Sequence, residues 1–314
     1  MNEHVNRVSY IDFFKSIGIL LMIMGHIGFG NTFDIYIHAF HMPMFFFISG
    51  YLFHNYDFKK FITKKFKTLI LPYFEYGFVN LLACLLLLQN FKIGKYFERF
   101  LFFNNKGLQL TGALWFLTAL FFGLLIFWTL LKYVPRKFRA LTIVGIVFIE
   151  WSLKIRLSFS IDSAIFMLPI IYTGFLLKTY EPNFSKYQKF GLSLMLFIVT
   201  FPLIMHNGMV NVRQNVYSNL ILFYTNAIVV SYACFLFTKA FSECSNRCLS
   251  FIGKHSLEFM CLNQILILIL GRYCCSNNFL ELIATISVLS IIVIAIDRVK
   301  AYKHPQALIA VDRE

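Results

Sequence analysis

The sequence predicts an all-α integral membrane protein, a single bundle of about ten transmembrane helices, and three observations carry that expectation. Of its 314 residues, 59% are hydrophobic and only 14% are charged, little more than half of the quarter that a soluble surface requires. Apolar runs close to the 20 or so residues that cross a bilayer core of about 30 Å recur along the whole chain. Lys and Arg are spread unevenly over the breaks between those runs, as loop charges are on the two sides of a membrane. The expected location is the cell (inner or plasma) membrane, with lipid as a partner on all sides.

Taken in order, the runs cover about residues 10–30, 35–54, 68–90, 112–131, 140–153, 161–178, 190–205, 216–238, 252–271 and 279–297. The fifth and seventh are the shortest, and the fifth has room for a tilted or re-entrant path. The first run contains Asp12 and Lys15 and has no small-residue cleavage site after it, so it reads as a retained helix and not as a signal peptide. With the N-terminus on the cytoplasmic side, 20 of the 29 Lys and Arg fall in inside segments and 8 in outside ones, Lys15 lying within a span. That imbalance predicts both termini in the cytoplasm. It also accounts for the net charge of +14 without a nucleic-acid partner.

The remaining composition removes other classes. Thirty-nine Phe against seven Pro and sixteen Gly exclude a disordered or collagen-like chain. Of the seven Cys, Cys84, Cys234 and Cys261 fall in apolar runs and Cys274 and Cys275 are adjacent, which is neither a disulfide framework nor a zinc spacing. The halves show no repeat, and the longest outside segment, about 91–111, reads as a loop. Residues 1–314 are expected to form one membrane domain.

Ionisable residues within spans are costly unless they are paired or face a cavity, so each is a functional candidate. Asp12, Lys15 and His26 share the first helix. Lys15 and His26 are eleven residues apart, which places them about 20° apart around the axis and about 16 Å apart along it. Gly18, Met22 and Gly25 lie between them on the same stripe, slender residues that leave room for a partner or a narrow ligand. The short connection Asn31–Asp34 makes the first two runs an antiparallel hairpin. Pairing along that hairpin sets His26 level with about Ala39, within a turn of His38 and His41, while Pro43 loosens the second helix. Imidazoles suit general-base work near neutral pH. One histidine alone is more often a hydrogen-bonding element between helices, but three with a Lys and an Asp on one hairpin favour chemistry. A metal held by His26, His38 and His41 is the weaker alternative, since no Cys, Glu or further carboxylate supports it, and none is expected. Trp115 and the tyrosines read as interface anchors. Glu75, Glu150, Asp162, Asn226 and Glu258 read as hydrogen-bonding groups between helices.

These residues also carry a resemblance. The stretch from Tyr10 to His26, followed by Phe40-His41-Met42-Pro43-Met44-Phe45-Phe46-Phe47-Ile48-Ser49-Gly50-Tyr51-Leu52, resembles the opening of the membrane acyltransferase-3 family. Lys64-Lys65-Phe66-Lys67-Thr68-Leu69-Ile70-Leu71-Pro72-Tyr73 is similar to the family's basic segment before its third helix. Leu114-Trp115-Phe116-Leu117 is similar to its W-F-L signature, and Phe251-Ile252-Gly253-Lys254-His255-Ser256-Leu257-Glu258 to its late G-x-x-S-L segment. The sequence departs from the pattern in three places: Lys15 replaces the arginine of R-x10-H, Lys65 and Thr68 fall on the R-x-x-R pair, and Asn263 stands where many relatives carry histidine.

The resemblance implies an integral-membrane O-acyltransferase, an O-acetyltransferase in the sugar-acetylase-like branch. It would move an acyl group from cytoplasmic acyl-CoA to a hydroxyl of a sugar, polysaccharide or lipid-linked glycan. Acetyl-CoA or another acyl-CoA would be a donor substrate and not a bound cofactor. His26, His41 and Asp12 are the expected catalytic residues, and Lys15, Lys64, Lys65 and Lys67 the expected acyl-CoA contacts, because a strongly anionic CoA seeks a basic inner face. The competing reading is a multi-pass transporter or flippase in which His, Lys and Asp form a proton or substrate pathway. Broken helices at matching positions of two halves would favour it, and the sequence has no such symmetry.

Overall fold

The structure, a computed structural model, describes residues 2–242, 247–273 and 277–303, with side chains for 9–242, 247–272 and 277–302. Cys274, Cys275 and Arg313 lie outside the described residues, and so do the side chains of Arg7 and Lys303.

Helix α1 (Asn2–Ile27) is stopped by Gly28 and Gly30, both at positive φ. The chain re-enters helix at once in α2 (Asn31–His38) and, after a turn over 39–42, in α3 (Pro43–Tyr51). The connection of the hairpin is therefore 28–30. Residues 31–34, expected to link the helices, begin the second one, because Gly supplies the positive φ that a tight reversal needs. Pro43 sits in the first turn of α3, where its missing N–H costs nothing.

Next come α4 (Phe58–Lys65), a π-helical turn (Phe66–Ile70) and α5 (Leu71–Leu87), in continuous succession. Pro72 offers no N–H to the carbonyl four residues back and its ring crowds that carbonyl, so the helix widens ahead of it. Helix α6 (Ile93–Leu101) corrects the expectation of a bare loop over 91–111: Tyr96 and Phe100 are buried on one face while Lys95, Phe97 and Glu98 are exposed. It is too short and too polar to read as a span, yet amphipathic enough to pack.

The later elements are α7 (Trp115–Tyr133), α8 (Arg139–Leu153), α9 (Ile161–Phe166), α10 (Leu168–Thr179), α11 (Lys186–Asn207), α12 (Leu220–Ala240), α13 (Arg247–Lys254), α14 (Ser256–Tyr273) and α15 (Asn278–Lys303). No strand occurs among the described residues, which hold only an isolated bridge between Asn211 and Val216. Among the described residues, six helical stretches are long and apolar enough to cross a membrane: 9–27, 58–87, 112–133, 186–207, 220–240 and 278–302. Two bent pairs raise the number to eight if each is one span: α9 with α10, at 55°, and α13 with α14, at 87°. Of the ten runs expected from sequence, 35–54 is divided between α2 and α3, and 140–153 corresponds to the 15-residue α8.

The outer surface agrees with a lipid environment. Phe78, Leu82, Leu85 and Leu86 of α5, Ile198 and Val199 of α11, and Ile283 and Ile291 of α15 are exposed, an apolar surface that water does not tolerate at this extent. Inside, α3 and α10 cross closely. A β-carbon on Gly50 would overlap the carbonyl oxygen of Ile171, and one on Gly174 that of Phe47. Small residues that admit a neighbouring backbone are the usual means of tight helix contact in lipid. At the opposite edge Gly253 of α13 receives the Asp12 carbonyl of α1 in the same way. The protein is thus an all-helical, multi-pass membrane protein.

Candidate active site

The 28–30 reversal folds α2 and the 39–42 turn back over the end of α1, and this brings His26, His38 and His41 to one cavity of about 240 Å³. Met22, Trp115, Arg213 and Gln264 share its lining. Each imidazole is held through Nδ1. His38 is 2.7 Å from the carbonyl of Asp34 and His41 is 2.8 Å from that of Ile37. Both partners are carbonyls that only accept, so Nδ1 carries a proton in each ring, and in the neutral form Nε2 keeps its lone pair.

His26 reaches the same state by another route. Its Nδ1 lies 2.7 Å from Oδ1 of Asn263. The Asn263 amide orientation is fixed because its Nδ2 donates to the carbonyls of Phe259, at 2.9 Å, and Met260, at 2.7 Å. Oδ1 must then accept from His26, which leaves Nε2 of His26 as the free base. The His38 and His41 rings stand 5.0 Å apart, edge to face. Among the described residues no group of three His, Cys, Asp or Glu has an arrangement that holds a metal ion.

The stripe between Lys15 and His26 gives room to neighbouring helices, the first of its two expected uses, and not to a ligand. A β-carbon on Gly18 would lie 2.7 Å from the Phe45 ring, and one on Gly25 would lie 2.9 Å from Ile37. The small residues of α1 therefore accommodate side chains of α2 and α3, and the stripe holds no channel for a ligand. Met22 alone of the three borders the cavity. Trp115, expected at a membrane interface, is 5% exposed and faces the histidines instead.

Asp12 and Lys15 stand at the far end of α1, the Asp12 position about 21 Å along the axis from His26. They pair with each other at 3.6 Å. Nearby, His255 at the α13–α14 junction approaches Asp297 of α15 at 3.3 Å, and Lys300 of α15 approaches Glu258 of α14 at 3.7 Å. Lys64 and Lys67 are exposed on the 58–70 segment and Lys65 is half-buried. Nζ of Lys60 and of Lys64 lies 5.1 Å and 5.3 Å from the centre of the Tyr56 ring. The carbonyl of Tyr56 accepts from the Trp128 indole at 3.0 Å. Trp128 is thirteen residues along α7 from Trp115, about 20 Å, so the basic segment and the histidine cavity sit near opposite ends of that helix.

Several lining groups were not legible as such. Arg213 comes from the 208–219 connection, where the sequence marks it only as an outside charge. Its Nη1 lies beside both Gly107 and Gly112: a β-carbon on these would be 2.6 Å and 3.0 Å from it. Gln264, next to Asn263, accepts from the Gly112 N–H through Oε1. The loop that bears these glycines is pinned by buried asparagines. Asn104 donates to Thr118 at 2.7 Å and accepts from Ser160 at 2.7 Å, and Asn105 donates to Asp162 at 3.2 Å. The neighbouring Asn-Asn and the two glycines were the only sequence signal for such a loop.

No curated protein and no solved structure matches the chain significantly. Residues 8–297 match the family model described as an acyltransferase domain, nearly the full length of the described helices. The chain therefore belongs to the acyltransferase-3 family and is a membrane acyltransferase.

Proposed function

We propose that the protein is an O-acyltransferase, an O-acetyltransferase in the first instance, that uses cytoplasmic acyl-CoA to acylate a hydroxyl of a sugar, polysaccharide or lipid-linked glycan at the cell membrane. The observation that carries this reading is the cavity with three imidazoles, each with Nδ1 tied and Nε2 unencumbered. Nε2 of His26 takes the proton of the acceptor hydroxyl as its oxygen forms a bond to the thioester carbonyl carbon. The carbon–sulfur bond then breaks, and the departing CoA thiolate takes that proton from His26. His41 and His38 line the same space and orient the acceptor. At about 240 Å³ the cavity is smaller than the roughly 300–1,000 Å³ typical of whole-ligand sites, which favours a short acyl group and the reacting end of a larger acceptor.

The CoA phosphates would meet Lys64, Lys65 and Lys67, with Lys15 held by Asp12 as a further cation at the same end of the bundle. The separation of about 20 Å along α7 is a distance for the extended pantetheine arm to cover. Its path does not follow Gly18 and Gly25, which α2 and α3 close off. The orientation that suits this arrangement has ten crossings, α2 with α3 forming the second and α8 the fifth, and both ends of the chain in the cytoplasm. The His26→Ala variant tests the reading. Free CoA released by membranes containing it, and acyl groups transferred to glycan measured by mass spectrometry, should fall by about 10² to 10⁴ at unchanged protein level. Near-parental transfer would exclude His26 as the base.

A further inference from the structure

We propose that the acceptor carries an anionic group, a carboxylate or a phosphate, that Arg213 binds at the rim of the histidine cavity. The inference rests on the acyl-transfer reading for what happens beside that group, and on separate observations for the group itself. The Arg213 side chain has no carboxylate and no hydrogen-bond acceptor among the described residues, and its Nε is buried without a partner. Burial, with the Arg99 charge added to it, lowers its pKa below the ordinary guanidinium value, yet a guanidinium stays charged in any protein. A charged fork whose Nε is buried with nothing to bind is costly unless a ligand completes it. Two glycines open the space for it, since a β-carbon at either would crowd Nη1.

The surroundings extend the same field. Arg99 of α6 donates to the Gly107 carbonyl at 3.1 Å, on the loop against which Arg213 rests. It lines a second cavity, also of about 240 Å³, with Lys92 and Lys95. No Asp or Glu lines either cavity. Lys92, Lys95, Arg99 and Arg213 all belong to the face that loop charge bias should deplete of cations, so topology gives no reason for them. CoA does not supply the anion in this scheme, because its phosphates are placed at the other end of α7. Charge-assisted, bidentate contacts of this kind select carboxylates and phosphates over neutral sugars.

The test is calorimetric binding to the full-length protein in nanodiscs. The probes are a glucuronic-acid disaccharide, its neutral methyl ester, and glucose 1-phosphate. One or both charged probes should bind about tenfold or more tighter than the ester, and the better of the two identifies the anion. Added salt should narrow the gap. Arg213→Gln should erase the preference and Arg213→Lys keep part of it. Should Arg213→Gln fail to accumulate, the surface double variant Lys95→Gln/Arg99→Gln should still weaken the charged probes more than the ester. Equal binding of all three probes overturns the proposal, and so does an unchanged preference in Arg213→Gln. It is also overturned if Arg213→Gln slows acyl-CoA breakdown in the absence of acceptor while the probes bind alike, since Arg213 would then serve the thioester oxygen. Charge-selective binding by a protein that turns over no acyl-CoA would leave the anion site standing and remove the acyl-transfer reading.

Discussion

At the scale of single residues the site depends on a tautomer. His38 and His41 take theirs from backbone carbonyls, which no substitution removes, but His26 takes it from one side chain. Asn263 is therefore a positioning residue whose own amide is clamped by Phe259 and Met260. Asn263→Leu keeps the branched shape, with somewhat more bulk, and removes the acceptor. A buried hydrogen bond lost from one partner costs about 1–3 kcal/mol, and each 1.4 kcal/mol or so is tenfold in rate. The variant should lower kcat by about one to two powers of ten with little change in KM for acyl-CoA, and it should alter the pH–rate profile because His26 is free to change tautomer. A proportional rise in KM, or an unaltered profile with full protein level, would show that Asn263 only packs. Spacing along the expected hairpin puts His26 within a turn of His38 and His41, and the structure brings all three to one cavity although the reversal lies at 28–30 and not at 31–34. The sequence did not expose Arg213 or Gln264, because both reach the cavity through non-local contacts with the 107–112 loop and no periodicity encodes that.

At the scale of elements, each of the ten apolar runs corresponds to helix, because a bilayer core leaves a backbone few other ways to satisfy its hydrogen bonds. What the runs did not encode is where helices break: hydropathy is blind to the turn at 39–42 and to the 55° bend between α9 and α10. Helix α6 was hidden for the opposite reason, its apolar face being only two turns long. The close crossing of α3 and α10 depends on reciprocal glycines, each with the other helix's carbonyl where a side chain would be. Gly174→Ala must push the pair apart, an overpacking that costs about 1–3 kcal/mol. Its thermal midpoint in detergent should fall clearly, whereas Gly145→Ala on α8, with open space around it, should leave the midpoint unchanged or raise it through helix propensity. Equal midpoints for the two variants would mean that the crossing leaves room for a methyl group at Gly174.

At the scale of the whole molecule the parity of crossings decides on which side the histidines open. Six stretches cross by length, and the bent pairs bring the number to eight. The two segments left over are α2 with α3, interrupted just before Pro43, and α8, whose 15 residues span about 22 Å, less than the core of about 30 Å. If α2 and α3 dip in and return, Asn31 and Lys65 lie on the same side of the membrane, and the cluster Lys59, Lys60, Lys64, Lys65 and Lys67 changes side relative to His26. With the N-terminus cytoplasmic the charge distribution argues against that: a crossing there puts 20 of the 29 Lys and Arg on the cytoplasmic side, and its loss puts 19 of them on the opposite side. Reporter fusions at Asn31 and Asn104 should therefore read external and those at Lys65 and Lys137 cytoplasmic. Matching signals at Asn31 and Lys65 would make 35–54 a re-entrant pair and would move the basic segment to the face where the histidines open, leaving the acyl-CoA phosphates without their proposed cytoplasmic contacts.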